Sequence, residues 1–98
     1  YLSAQYREKA PRLYRTLGDI AAQLKSGARD YVALAGAARS ELESNGWRVD
    51  YVSVRDPNSL MPPIGGEVNQ FVVLAAAWLD TTRLIDNIEV SIDRLGPV

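Results

Sequence analysis

Few side chains in this chain are of a type that does chemistry. There is no histidine and no cysteine. That removes the usual general base near neutral pH, the commonest metal ligand and any thiolate nucleophile. Asp56, Asp80 and Asp86 are the carboxylates a metal site would draw on. Their spacing matches no calcium-binding loop, and solvated or salt-bridged carboxylates are the simpler reading. Gly65-Gly66 would open a phosphate-cradling loop only with a following Gly-Lys-Ser/Thr and a helix start. Neither follows, so the pair reads as a flexible turn. Arg7, Lys9, Arg12 and Arg15 cluster near the start of the chain. On helical turns they spread over the side away from Leu13 and Leu17. They form either a solvated face or a rim that attracts anions. Tyr6, Tyr14, Trp47, Tyr51 and Trp78 would suit a stacking surface, but acidic residues lie between them, so core and rim area is the plainer role.

The most unusual stretch is Arg83-Leu84-Ile85-Asp86-Asn87. Alternation places Leu84, Asp86 and Ile88 on one face of a strand, and Arg83, Ile85 and Asn87 on the other. Polar groups beside an apolar strand need partners wherever they are buried. Asp86 is placed to accept from amides of the Asp80–Thr82 turn or a nearby loop, and Arg83 to reach a carboxylate. Local structural bonding is favoured over ligand contact.

These residues must be carried by a small set of elements. Ser3 is a good N-cap for a short helix from Ala4 to about Lys9. Pro11 interrupts it and suits the first position of a new helix. Leu13, Leu17, Ile20 and Leu24 form the buried stripe of that helix, widened by Tyr14 and Ala21. Gly27 ends it as a left-handed cap. Asp30 caps a further helix with Tyr31, Leu34, Ala35, Ala38 and Leu42 on one face, ended by Asn45-Gly46. The short link predicts an antiparallel helix pair.

Trp47 to Asp56 alternates as a half-buried strand. Trp47, Val49, Tyr51 and Ser53 are expected on one face, with Arg48, Asp50, Val52 and Val54 on the other. Asp56-Pro57-Asn58-Ser59 is turn chemistry. Leu60, Met61 and Ile64 are expected to pin the irregular segment that follows. Phe71 to Leu79 is an unbroken apolar run that suits a strand buried on both faces, and the break at Asp80-Thr81-Thr82 suits a tight hairpin. Residues from Ser91 to Val98 are expected to fray. The order helix, helix, strand, strand, strand predicts a two-layer α+β domain, with the helices on one face of a three-stranded antiparallel sheet.

Composition bounds the function classes. The chain has 98 residues, 47% of them apolar and 23% charged, with a formal net charge of −1. This is the profile of one globular domain or part of a larger protein. No basic block stands out, which disfavours nucleic acid as a partner. The longest apolar run is too short to span a bilayer as a helix, so no membrane association is expected.

Several stretches resemble one family. Tyr1-Leu2-Ser3 with Arg7, then Ala10-Pro11, Leu13-Tyr14 and Leu17, resembles the start of the C-terminal domain of the pantoate–beta-alanine ligase (pantothenate synthetase) family. Val49-Asp50-Tyr51 followed by Val54-Arg55-Asp56-Pro57 and Leu60 is similar to it as well. The most specific series is Ala75-Ala76-Ala77-Trp78-Leu79 running into Thr82-Arg83-Leu84-Ile85-Asp86-Asn87. The resemblance runs from Tyr1 to about Val90.

It implies that residues 1–98 are the C-terminal, lid-like domain of an ATP-dependent ligase. Such an enzyme forms a pantoyl adenylate, releases pyrophosphate, and loses AMP when beta-alanine attacks. It implies a preceding nucleotide-binding Rossmann domain as partner, with the Ser-Ser-Arg-Asn phosphate motif just upstream of Tyr1. It also implies ATP and magnesium in the complete enzyme but none bound by this domain alone, a homodimer, and a cytoplasmic location. No residue here is expected to be catalytic. Arg7, Lys9, Arg12 and Arg15 are the candidates for a rim facing polyphosphate, and Arg83, Asp86 and Asn87 are expected to brace the sheet. In one departure from the family pattern, Asp80 stands where a glycine is usual, so a different turn type is expected. The alternative to a ligase domain is a non-catalytic α+β binding or oligomerisation module.

Overall fold

The computed structural model describes residues 4–64 and 68–92. Expectations placed on Ser3, on Gly65-Gly66, on the Tyr6 side chain and on the tail beyond Ile92 fall outside the described residues. Three helices precede three strands: α1 (Ala4–Lys9), α2 (Pro11–Lys25), α3 (Tyr31–Ser44), β1 (Arg48–Arg55), β2 (Gln70–Leu79) and β3 (Thr82–Ser91). The sheet order is β1-β2-β3 with both pairings antiparallel, and α2 and α3 pack on one face. The α+β reading holds in class, order and strand sense.

The helix ends are set by local chemistry. Pro11 is the first residue of α2. Gly27 stops α2 at φ 106°, and the N–H of Ala28 donates to the Gln23 carbonyl at 2.9 Å. Gly46 repeats the device after α3 at φ 89°, with the Trp47 N–H on the Leu42 carbonyl at 3.1 Å. In both, a left-handed residue satisfies carbonyls that the last turn leaves free. The Asp30 side chain caps α3 by accepting from the Ala33 N–H at 3.1 Å.

Leu13, Leu17, Ile20 and Leu24 are buried as the stripe predicts, together with Ala21. Tyr14 is not part of it, being 55% exposed. One residue past Leu13 is a rotation of about 100°, which carries Tyr14 off the sheet-facing side. Thr16 is buried instead. From α3, Leu34, Ala38 and Leu42 enter the core, while Tyr31 and Ala35 are half-buried. The inner face of β2 supplies Phe71, Val73, Ala75, Ala77 and Leu79 to the same core.

The face assignment expected for β1 is wrong beyond Val49. Val49 pairs with Ala77 and Tyr51 with Ala76, so Asp50 is an extra residue in a bulge. One inserted residue reverses the phase of the pleat. Val49 and Val54 therefore both face the helices, whereas Tyr51 turns outward. Nor do Leu60, Met61 and Ile64 pin the following loop, since all three are exposed. Polar bonds hold it. Asp56 Oδ1 accepts from the N–H groups of Asn58 (2.7 Å) and Ser59 (3.1 Å), and Arg55 Nη1 donates to the Leu60 carbonyl at 2.7 Å. Ser91 is not frayed either. It pairs with Gln70, and the Ile92 N–H donates to the Asn69 carbonyl at 2.8 Å.

The β2–β3 connection is a two-residue loop, Asp80-Thr81, because Leu79 pairs with Thr82. Asp80 has φ 57°, the region where a Cβ is penalised and glycine is not. Two-residue hairpins demand such a conformation, so the turn's backbone, not its side chain, is what Asp80 must satisfy. Replacing Asp80 with glycine is expected to stabilise the chain by about 0.5 kcal/mol, read as a rise in Tm of about 2–4 °C. A fall in Tm would mean that the aspartate side chain contributes more than its backbone costs.

Candidate functional site

The polar cluster that the fold assembles lies at the hairpin end of the sheet, on the face away from the helices. Arg48, Trp78 and Arg83 occupy one cross-strand row, paired in that order across β1, β2 and β3. The bulge projects Asp50 into this row. Asp50 Oδ2 accepts from Arg83 Nε at 2.8 Å and from Trp78 Nε1 at 3.2 Å. The Arg48 guanidinium lies 5.1 Å from the Trp78 ring centroid, a cation–π distance. Thus one carboxylate, two guanidinium groups and an indole share a single patch.

The bulge itself is held from the helix layer. Arg39 of α3 donates through Nη2 to the Val49 carbonyl at 3.0 Å and the Asp50 carbonyl at 3.4 Å. Both carbonyls belong to β1, an edge strand of the sheet. Arg39 is therefore a positioning residue for Asp50.

The hydrogen bond from Arg83 holds the Asp50 carboxyl below its ordinary value of 3.8; desolvation opposes it, and the Arg83 charge, the Trp78 N–H and the Arg48 charge add to the lowering. A carboxyl whose folded value is depressed stabilises the fold above the unfolded value, and this stabilisation is lost as pH falls through the folded value. The window therefore lies below about pH 3.8. Asp50→Asn is expected to flatten acid unfolding in that window, with little change in shape near neutrality. Superimposable acid titrations of the two proteins by circular dichroism would contradict the role given to Arg83.

The residues singled out in the sequence separate into three places. Arg83 reaches a carboxylate as expected, and that carboxylate is Asp50. Asp86 and Asn87 are adjacent but diverge. Asp86 is half-buried on the helix side, and Asn87 is exposed on the other face. Asp86 does not bond the hairpin turn. Its Oδ1 accepts from the Asn87 N–H at 2.8 Å, because its strand pairs it with Ala75, well away from Asp80. Asp56 and Asp80 lie beyond opposite ends of β2, so the three carboxylates do not converge. Among the described residues, no group of three or more acidic residues is arranged to hold a metal ion.

Arg7, Lys9 and Arg15 are exposed on α1 and α2, and Arg12 is half-buried. Arg12 Nη1 donates to Glu41 Oε1 at 3.2 Å, across to the end of α3. Arg12 stands near the start of α2 and Glu41 near the end of α3, and Thr16, Ile20, Gln23, Leu34, Ala38 and Glu41 line a groove between the same two helices. The helices thus run antiparallel, as expected from the short link. Since α3 leads directly into Arg48, the Pro11 end of α2 lies toward the hairpin end of the sheet. The cations of α2 and the Arg48–Arg83 row consequently occupy the same end of the domain. The groove between the helices is rimmed by Asp19 and Glu41 and does not suit an anion.

Sequence reasoning missed Arg48, Asp50 and Trp78 as a unit. The one available signal was Asp50 sitting two residues from Arg48 in a strand that breaks strict alternation. Of the aromatic residues considered for stacking, Trp47 is core, Trp78 is half-buried in this cluster, and Tyr14 and Tyr51 are exposed. No helix among the described residues is long and apolar enough to cross a membrane.

Comparison with known proteins gives the lineage of this arrangement. Residues 1–89 match the family model described as pantoate-beta-alanine ligase. A pantothenate synthetase of Thiobacillus denitrificans is 55% identical over 91 residues, which is 93% of this chain and 32% of that protein. One from Chromobacterium violaceum is 56% identical over 90 residues, covering 92% of this chain and 32% of that protein. A crystal structure of pantothenate synthetase from Thermus thermophilus superposes with a TM-score of 0.77 at 32% identity, over 93% of this chain and 33% of that one. The chain thus spans about a third of the length of the curated relatives it matches. By a family-model match along nearly its whole length, it belongs to the pantoate–beta-alanine ligase family.

Proposed function

We propose that this chain is the C-terminal domain of an ATP-dependent pantoate–beta-alanine ligase and works as a hinged lid on a preceding nucleotide-binding domain. The observation that carries the reading is the family-model match over residues 1–89, in relatives about three times as long. In the complete reaction the pantoate carboxylate attacks the α-phosphorus of ATP and pyrophosphate leaves. The beta-alanine amine then attacks the acyl carbon, loses a proton, and AMP leaves with the bonding electrons. A lid serves this chemistry by keeping water from the acyl adenylate. The described residues offer magnesium no carboxylate cluster, so no step is assigned to it on this chain. The complete enzyme is proposed to be a cytoplasmic homodimer.

The part given to this domain is electrostatic. Arg7, Lys9, Arg12 and Arg15 form a cationic end that faces the polyphosphate when the lid closes. Arg12 contributes least, because Glu41 already engages it. The test uses the full-length protein. AMP should form from ATP only when both pantoate and beta-alanine are present, and failure to form it rejects the ligase reading. Changing Arg7, Lys9, Arg12 and Arg15 together to glutamine should raise the KM for ATP by about tenfold. Unchanged ATP kinetics in that variant would reject the rim while leaving the ligase reading standing.

A further inference from the structure

A polar group that a fold buries ordinarily has a partner. Thr16 is the polar side chain in the buried set of the described residues, with 4% of its surface exposed. A helical threonine commonly donates to the carbonyl one turn back. Among the described residues, the Thr16 hydroxyl makes no hydrogen bond at all. Nor is it sealed in the core, as the unpartnered Trp47 Nε1–H is. Thr16 lines the groove between α2 and α3, and its hydroxyl opens there.

The rest of the groove is built of two kinds of surface. Its volume is about 240 Å³, room for about eight waters or one small organic molecule. The floor is apolar and buried, formed by Ile20, Leu34 and Ala38. The rim offers acceptors. Asp19 carries a carboxylate with no ion-pair partner among the described residues. Glu41 has Oε1 taken by Arg12 and keeps Oε2. Gln23 donates Nε2 to the Asp19 carbonyl at 3.3 Å, which leaves its Oε1 to accept.

We propose that this groove binds a primary aliphatic amine as its ammonium ion. An ammonium head brings a charge and three donors, and Asp19, Gln23 and the Thr16 hydroxyl accept them. The hydrocarbon body covers the apolar floor. Other ligand classes fit less well. An anion would face Asp19 and Glu41, and an amino acid would set its own carboxylate against them. A bare divalent cation needs about six oxygen ligands and gains nothing from the floor. A quaternary ammonium selects aromatic faces, and no described aromatic residue lines the groove. The proposal goes beyond the ligase reading and does not depend on it.

The experiment is a methyl-NMR titration of the full-length protein with n-butylammonium. The Ile20, Leu34 and Ala38 methyl signals are expected to shift and saturate, with a Kd on the order of 1 mM for so small a ligand. Asp19→Asn should weaken binding by about tenfold. Thr16→Val should weaken it by about threefold without lowering Tm, because the hydroxyl serves no bond of the fold. n-Pentanoate, with a carboxylate in place of the ammonium, should leave the signals unmoved. Shifts that do not saturate by about 50 mM overturn the proposal. So does undiminished affinity in either variant, or equal binding of n-pentanoate. A large fall in Tm for Thr16→Val would overturn it too, since the hydroxyl would then belong to the fold and not to a ligand.

Discussion

Replacing Phe71 with alanine lowers the stability of this chain by about 3–5 kcal/mol. Phe71 is 1% exposed and is among the largest fully buried side chains. Its ring lies 5.8 Å from that of Tyr31, and the Arg29 guanidinium sits 5.1 Å from its centroid. Truncation removes the transfer energy of the ring, leaves a cavity beside α3, and strands Arg29 without its aromatic surface. A domain of this size has only about 5–10 kcal/mol in hand, so one substitution consumes much of it. The measurement is urea unfolding, with an expected fall in midpoint of about 1.5–3 M. A loss below about 1 kcal/mol would show that Tyr31 and Arg29 close the gap.

Ala75 and Ala76 give the second large effect, and the contrast matters more than either value. Both are 0% exposed. Ala75 faces α2 and α3 and belongs to the helix-side core, whereas Ala76 belongs to the outer face and is covered by its cross-strand neighbours Tyr51 and Ile85. Ala75→Leu must push helices off the sheet and is expected to cost about 1–3 kcal/mol. Ala76→Leu meets no helix but must displace Tyr51 and Ile85, and it is expected to cost less than Ala75→Leu, about 0.5–1 kcal/mol. Thermal unfolding of the two variants side by side decides this. Equal losses would mean that the outer face is as tightly packed as the inner one.

Most of the scaffold was readable from residue types alone, because its signals are local. Pro11, Gly27, Asp30 and Gly46 act through their own backbone or the next turn, so their roles survive without knowledge of the fold. The apolar run from Phe71 to Leu79 is likewise self-declaring, since a strand with apolar residues at every position has to be covered on both sides or leave a face exposed. Strict alternation from Leu84 to Asn87 placed each side chain on its correct face. The resemblance carried by Arg83 to Asn87 gave the family before any coordinates, although it labelled a brace and not a reactive group.

What only the tertiary structure decided depends on one residue of register. Strand alternation in Trp47–Asp56 is a period-two signal, and the bulge that shifts its phase is marked in the sequence only by the adjacent apolar pair Tyr51-Val52. Once Asp50 is inserted, Val49 and Val54 fall on the same face, Tyr51 goes outward, and the carboxylate meets Arg83 from a strand that is not its neighbour. The bulge persists because Arg39, on another element, satisfies its carbonyls. No local rule joins Arg39, Asp50, Trp78 and Arg83, which lie far apart in the chain. The helix stripe, the caps and the hairpin follow from the sequence by itself. The polar patch and the outward turn of Tyr51 follow from the register of β1 on β2, which is set by packing against the helices and by a hydrogen bond from outside the sheet.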